Sequence, residues 1–237
     1  MSGTVPSGHD HRSHRLLLGL EPVDAVRGSR LSHPVSISLE GLQGRLRLIS
    51  RHASGRFTLL ADPSLGTPLD LLIGDPRRRW VPRRLSVPLP PAARLLRPSL
   101  YPGAAYDVAE TATGLRGRVV RGGSPVPWVR VEARLEGTSP VVGRAHGDDR
   151  GEFLLLLDRT ASPLPELSDP VRVEISVFAA AGTLEQPPLE ELPDPDTELV
   201  ETALGRPPGY TSTVTRVVEL RLAYLLTGTE VTDFVLA

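Results

Sequence analysis

"GEFLLL", residues 151–156, and "GRFTLL", residues 55–60, are nearly the same hexapeptide written twice in one chain. Glycine reaches positive φ at little steric cost, so Gly55 and Gly151 can each reverse the chain tightly. Side chains alternate across a strand, so Phe57 and Leu59 share one face of the first returning run. Phe153 and Leu155 do the same in the second. Working outward, "PVSISLE" (residues 34–40) lies opposite "WVRVEARLE" (residues 128–136) at an offset of about 94. Val35, Ile37 and Leu39 alternate in the first, and Val129, Val131, Ala133 and Leu135 in the second. Each copy reads as a first strand, a Gly/Pro/Ser turn, a strand led in by proline, a variable hairpin and a glycine turn into an aromatic-headed strand.

The same period of two recurs along the chain, in short runs separated by Gly, Pro and Ser, which is the pattern of half-buried antiparallel strands. It is present at Leu46 and Leu48, at "LDLLI" (residues 69–73), at Leu85, Val87 and Leu89, and most clearly at Val171, Val173, Ile175 and Val177. The chain is therefore expected to be all-β, with a flexible tail over residues 1–15 and a first sandwich over 16–90. A Pro-rich linker over 91–111 and a second sandwich over 112–237 complete the expected plan. Five prolines between Pro88 and Gly103 suggest a semi-rigid connector, with room for one helical turn at "AARLLR". "VVELRLAYLL" and "EVTDFVLA" suggest a closing hairpin across residues 227–230. The pattern lapses over about 181–212, where "LEQPPLEELPDPDTELVE" holds seven acids, four prolines and no base. Such a stretch reads as a solvated acidic insertion, a partner-docking arm, or a short helix at "PLEEL".

Composition excludes several chemistries. The 237 residues carry a net charge of -1 and include no Cys, no Asn and no Lys, so all 27 basic residues are Arg. Disulfides and thiolate metal sites need Cys, Schiff-base and P-loop chemistry need Lys, and N-glycosylation needs Asn. Arginine without lysine, beside abundant Leu, Ala, Pro and Gly, points to a GC-rich bacterial genome. The balanced charge suggests no nucleic-acid partner. Leu16 to Leu20 is too short for a signal-peptide core, and no window reaches the roughly 20 apolar residues of a membrane span. The expected location is the cytoplasm, or a particle released without a signal peptide.

"LRGRVVRGGSPVPWVRVEARLEG" (residues 115–137) followed by "GRAHGDDRGEFLLLL" (residues 143–157) resembles the carboxypeptidase regulatory-like domain, a transthyretin (prealbumin)-like β-sandwich also grouped with carbohydrate-binding-like folds. Gly117 and Val119 match its first element, Pro125 and Pro127 its turn, and Val129 and Val131 its second strand. Asp148, Gly151 and Phe153 match its last element, while Gly147 stands where threonine is usual. Residues 16–90 are more faintly similar. The resemblance implies two tandem antiparallel Greek-key sandwiches, each cornered by an Asp- or Gly-containing turn with a phenylalanine behind it. It also implies an accessory or spacer role, because this fold is used far more often so than as a catalyst.

Catalytic constellations are thin. His9, His11 and His14 supply metal-ligand types on no rigid element. Only His146 has an acid three residues on, Asp149, which is the wrong acid for a metallocarboxypeptidase zinc site, and no second zinc-binding histidine follows. No G-x-S-x-G elbow occurs, and "HASG" (residues 52–55) falls in the glycine turn of the first copy. Asp148 and Asp149 suit turn capping better than calcium, which needs six to eight oxygens. No enzyme, metal or cofactor is expected. The one conspicuous surface motif is "DPRRRWVPRR" (residues 75–84), where Arg77, Arg78, Arg79, Arg83 and Arg84 surround Trp80, a grouping suited to an acidic partner or, equally, to a charged edge strand. The acids near Glu190 could pair with it, within or between subunits.

These readings point to a non-catalytic structural or adaptor protein contacting other proteins. Its two-module plan resembles accessory components of bacterial phage-tail-like contractile injection systems. A carbohydrate-binding module using Trp80, Trp128 and Tyr101, or an accessory to a separate enzyme, is the alternative.

Overall fold

The computed structural model describes residues 15–31, 33–41, 48–63, 65–91, 94–157, 170–191, 207–228 and 230–236. The expected tail, with its three histidines, and residues 192–206 of the acidic insertion lie outside the described residues apart from Arg15. The alternating runs form the strands Leu16–Leu20 (β1), Val23–Asp24 (β2), Ser36–Leu39 (β3), Ile49–Arg51 (β4), Phe57–Leu60 (β5), Leu69–Gly74 (β6), Arg83–Val87 (β7), Leu95–Leu96 (β8) and Ser99–Leu100 (β9). They continue as Gly114–Arg121 (β10), Ser124–Pro125 (β11), Arg130–Leu135 (β12), Val141–His146 (β13), Glu152–Leu156 (β14) and Val171–Ala179 (β15). Leu189–Glu191 (β16), Thr211–Leu220 (β17), Leu225–Thr227 (β18) and Asp233–Leu236 (β19) close the series. The protein is all-β, with no α-helix among the described residues.

Four of its sheets carry the two cores. In the first half, β4-β5-β1-β8 faces β16-β7-β6-β3; in the second, β14, β10, β11, β18 and β19 face β13-β12-β15-β17. The wiring repeats. β1 lies between antiparallel β5 and parallel β8, as β10 lies between antiparallel β14 and parallel β18 and β19. β3 pairs antiparallel with β6, and β6 with β7, as β12 pairs with β15 and β15 with β17. The hairpin strand differs: β4 joins β5, whereas β13 joins β12.

Three local expectations are corrected. No hairpin closes across residues 227–230: β19 pairs with neither β17 nor β18, and β18 and β19 each lie parallel to β10. "PLEEL" is strand β16, not helix, and lies parallel to β7 of the first half. Leu95 and Leu96 of "AARLLR" are also strand.

The stretch 91–111 is not a spacer. Leu96, Leu100, Tyr101 and Tyr106 are buried, and Leu96, Leu100 and Tyr106 belong to the first core with Leu18, Phe57, Leu71 and Leu85. Burying a leucine or aromatic side chain contributes about 1.5–3 kcal/mol each, which outweighs what a proline-stiffened chain loses by being fixed. Strand β14 joins the halves more closely still. Its Phe153 and Leu155 face the second core with Val119, Val131 and Ile175, while Leu154 and Leu156 face the first.

Candidate functional site: a charged seam and a tryptophan-lined cleft

The glycine corners come first, because one of them borders the seam. At Asp148–Gly151 the Asp148 carboxylate accepts hydrogen bonds from the amides of Arg150 (2.9 Å) and Glu152 (3.0 Å), and Gly151 has φ of 70°. At His52–Gly55 the same turn is built with a ring nitrogen in place of the carboxylate: the Ser54 amide donates to His52 Nδ1 at 3.1 Å, and Gly55 has φ of 83°. Backbone bonds match too, Gly55 N–H to His52 O at 2.9 Å and Gly151 N–H to Asp148 O at 3.1 Å. Phe57 and Phe153 follow, both buried. Phe153 stands opposite Gly117, where a Cβ would come within 2.5 Å of its ring; glycine at 117 makes room for the aromatic.

The arginine motif does not form one exposed face. Residues 76–79 are a turn, not an alternating strand, and Trp80 makes an isolated bridge to Pro102. Trp80, Arg79 and Arg83 are buried. Arg79 pairs with Asp75 (Nε to Oδ2, 3.0 Å), and Arg84 grips Glu40 through two hydrogen bonds. Arg77 and Arg78 remain exposed, Arg78 reaching Asp149 of the other half at 3.0 Å. The Pro-rich stretch is strapped to this turn: Gly103 N–H donates to Arg79 O (2.7 Å), and Ala105 N–H to Arg78 O (3.0 Å).

Arg83 and Glu190 meet in the seam. The Glu190 carboxylate, 14% exposed, takes Arg83 of β7 on Oε2 at 2.8 Å and Arg130 of β12 on Oε1. The two guanidiniums are 2% and 5% exposed, and each also donates to backbone, Arg83 to Ser99 O and Arg130 to Trp128 O, both at 3.0 Å. Desolvation is the largest influence on the Glu190 carboxyl and pushes it up, but Arg83 and Arg130 together pull harder, so its pKa lies below the ordinary value. The acidic insertion therefore pairs with the arginine motif within one chain.

His146 is stacked on Tyr101, ring centroids 3.8 Å apart, and is buried. Burial first, then Arg130, Arg83 and Arg144, hold its pKa well below the ordinary value, so it is neutral in the folded state. Asp149 is paired with Arg78, so His146 and Asp149 serve separate partners. An imidazole that cannot charge when folded but can when unfolded lets the unfolded state bind more protons below about pH 6.5. Stability is accordingly expected to fall as pH drops from 7.5 to 5.5, at up to about 1.4 kcal/mol per pH unit from this group. Urea unfolding at the two pH values measures it, and His146→Gln should flatten that part of the decline.

Beside the seam lies a cleft of about 180 Å³, lined by Arg78, Trp80, Val81 and Pro82 of the first half and Trp128 and Asp148 of the second. Arg78 and Trp128 both hold positive φ, 55° and 60°, which non-glycine residues adopt at a cost of about 1–2 kcal/mol. Neither Trp80 nor Trp128 finds an acceptor for its indole N–H among the described residues. Sequence reasoning missed Arg130 as a seam residue, Gly103 as the strap on the arginine turn and Tyr106 as a member of the first core. The available signal was the pair of tyrosines at 101 and 106, which a free linker has no use for.

No protein-family model, no curated protein and no solved structure matches this chain. No helix among the described residues is long and apolar enough to cross a membrane.

Proposed function

We propose that this chain is a non-catalytic structural or adaptor protein: two tandem Greek-key β-sandwiches of transthyretin-like type, fused through a charged seam, holding other proteins by their sheet edges and loops. The carrying observation is the Arg83–Glu190–Arg130 bridge. It commits Arg83 and Arg130, the two most buried arginines among the described residues, to joining the halves, so chemistry that elsewhere serves a substrate here serves rigidity. The repeated strand wiring supports the tandem reading. Edges remain for partners: β17 has only β15 as a ladder neighbour among the described residues, over ten residues. Val217, Tyr224 and Val235 are exposed nearby in sequence. An unpaired strand edge is a template for a partner's strand.

A place in a phage-tail-like contractile injection particle is the assembly this plan suits, on the resemblance of its two-module arrangement. The alternative carbohydrate platform is disfavoured, since Trp80, Trp128 and Tyr101 are 4%, 6% and 8% exposed and offer little ring surface for stacking on sugars. Tagged chain is expected to sediment with tail-like particles from cells that make it. Failure to sediment, together with saturable glycan-array binding that Trp80→Ala abolishes, would replace the scaffold reading with the carbohydrate one.

A further inference from the structure

We infer that the outer edge of β17 takes a short acidic strand of a partner protein, laid parallel to it, with a carboxylate of that strand set opposite Arg216. The internal repeat supplies the template. Matching Ile37 to Val131, as the duplicated stretches do, brings Leu71 onto Ile175 through the strand pairings. One strand further, it brings Arg83 onto Val214, Leu85 onto Arg216 and Val87 onto Val218. In the first half this last strand, β7, does not end its sheet: β16 lies parallel on its outer side, with Glu190 opposite Leu85. In the second half the equivalent strand, β17, ends its sheet among the described residues.

The hydrogen-bonding phase agrees as well. Ladder bonds between antiparallel strands join alternate residue pairs, and each residue sends its N–H and C=O to one side. Glu40 N–H donates to Asp70 O at 2.9 Å, and Glu136 N–H to Arg172 O at 3.0 Å. Even-numbered residues of β6 and β15 therefore serve β3 and β12, and odd-numbered ones serve β7 and β17. That leaves Arg84 and Ser86 of β7, and Thr215 and Val217 of β17, with N–H and C=O aimed outward. Arg84 and Ser86 are where β16 sits; Thr215 and Val217 are exposed and offer a partner the same step. Arg216, between them, sets the chemistry. Its Nη1 donates to the carbonyls of Glu230, Val231 and Asp233 at 3.3, 3.0 and 3.2 Å, which fixes the guanidinium over the Phe234 ring. No carboxylate pairs with it among the described residues, so Nε and Nη2 keep donors for one. Opposed residues of neighbouring strands share a face, so the residue facing Arg216 stands beside a positioned cation, as Glu190 stands beside Arg83. An acid there gains a charge-assisted hydrogen bond, and a base meets like charge. The chain's own strand of this kind, β16, is already engaged on β7, so the occupant comes from another protein.

That the occupant is a protein rests on the adaptor reading. The probe is a blocked peptide copying residues 186–192, QPPLEEL, added to the full-length ¹⁵N-labelled protein. The amide signals of Thr215 and Val217 are expected to move together and saturably, and those of Val214, Arg216 and Val218, whose N–H groups already serve β15, to move less. The same peptide with glutamine in the position of Glu190 should bind roughly fivefold more weakly. Arg216→Gln should erase the difference between the two peptides. Val217→Pro removes an outward N–H and no bond to β15, which an edge strand tolerates, and should abolish binding. Silent amides at Thr215 and Val217, equal affinity of the unaltered protein for both peptides, or unchanged binding by a folded Val217→Pro would overturn the inference. Shifts at those amides that grow with protein concentration alone would assign the edge to a second copy and overturn it too. Peptide binding in a protein that does not sediment with particles keeps the edge and removes the particle; sedimentation with a silent edge does the reverse.

Discussion

Glu190→Ala is expected to be the most damaging single substitution in the seam, lowering stability by roughly 3–5 kcal/mol. The magnitude follows from what it leaves behind. Arg83 and Arg130, 2% and 5% exposed, would keep their bonds to backbone carbonyls but lose the carboxylate that neutralises them. Two unbalanced buried charges of like sign are far costlier than the loss of an exposed pair, which is worth about 0–1 kcal/mol. For a chain of this size the change corresponds to a fall of roughly 6–20 °C in Tm by calorimetry. Glu190→Gln keeps the shape and some hydrogen bonding, and should fall between. A drop under about 1 kcal/mol would mean that water reaches the bridge and screens it as it does an exposed pair. Acid should mimic the substitution: because the folded carboxyl titrates below its unfolded value of 4.5, the contribution is present above about pH 4.5 and is lost as pH falls below it.

Gly151→Ala should cost several times what Gly55→Ala does, although the two residues hold equivalent corners. At both, φ is positive and alanine meets left-handed strain of about 1–2 kcal/mol. At Gly55 nothing else opposes the new methyl, its nearest neighbours lying 4.0 Å away. At Gly151 the methyl would come within 2.7 Å of two carbonyl oxygens, Val119 O and Val126 O, neither of which can swing aside like a side chain. Moving them disturbs β10, the central strand of its sheet. Chemical denaturation of both variants in parallel gives the comparison, and equal losses would show that conformation alone, without crowding, decides the glycine.

Alternation at period two was enough to read the all-β class, and the duplicated hexapeptide led to the paired corners, because both are local properties of a strand and a turn. The seam was not legible for a physical reason. Strand β16 is three residues long and acidic, and its partner β7 lies about a hundred residues upstream, so nothing local distinguishes it from a solvated loop. Arg83 and Trp80 read as exposed on the same grounds: arginine is seldom buried unless paired, and its pair, Glu190, is remote in sequence. The prolines of 91–111 dominated the reading of that stretch, while Tyr101, buried against His146, and Tyr106, held in the first core, carried the truer signal.

Leu155 and Leu156 are adjacent in the chain yet belong to different interiors. Cutting near residue 111 would strip Leu154 and Leu156 of their cover and take both out of the first core. Neither half keeps a complete interior by itself, so the one shared strand ties the folding of each to the presence of the other.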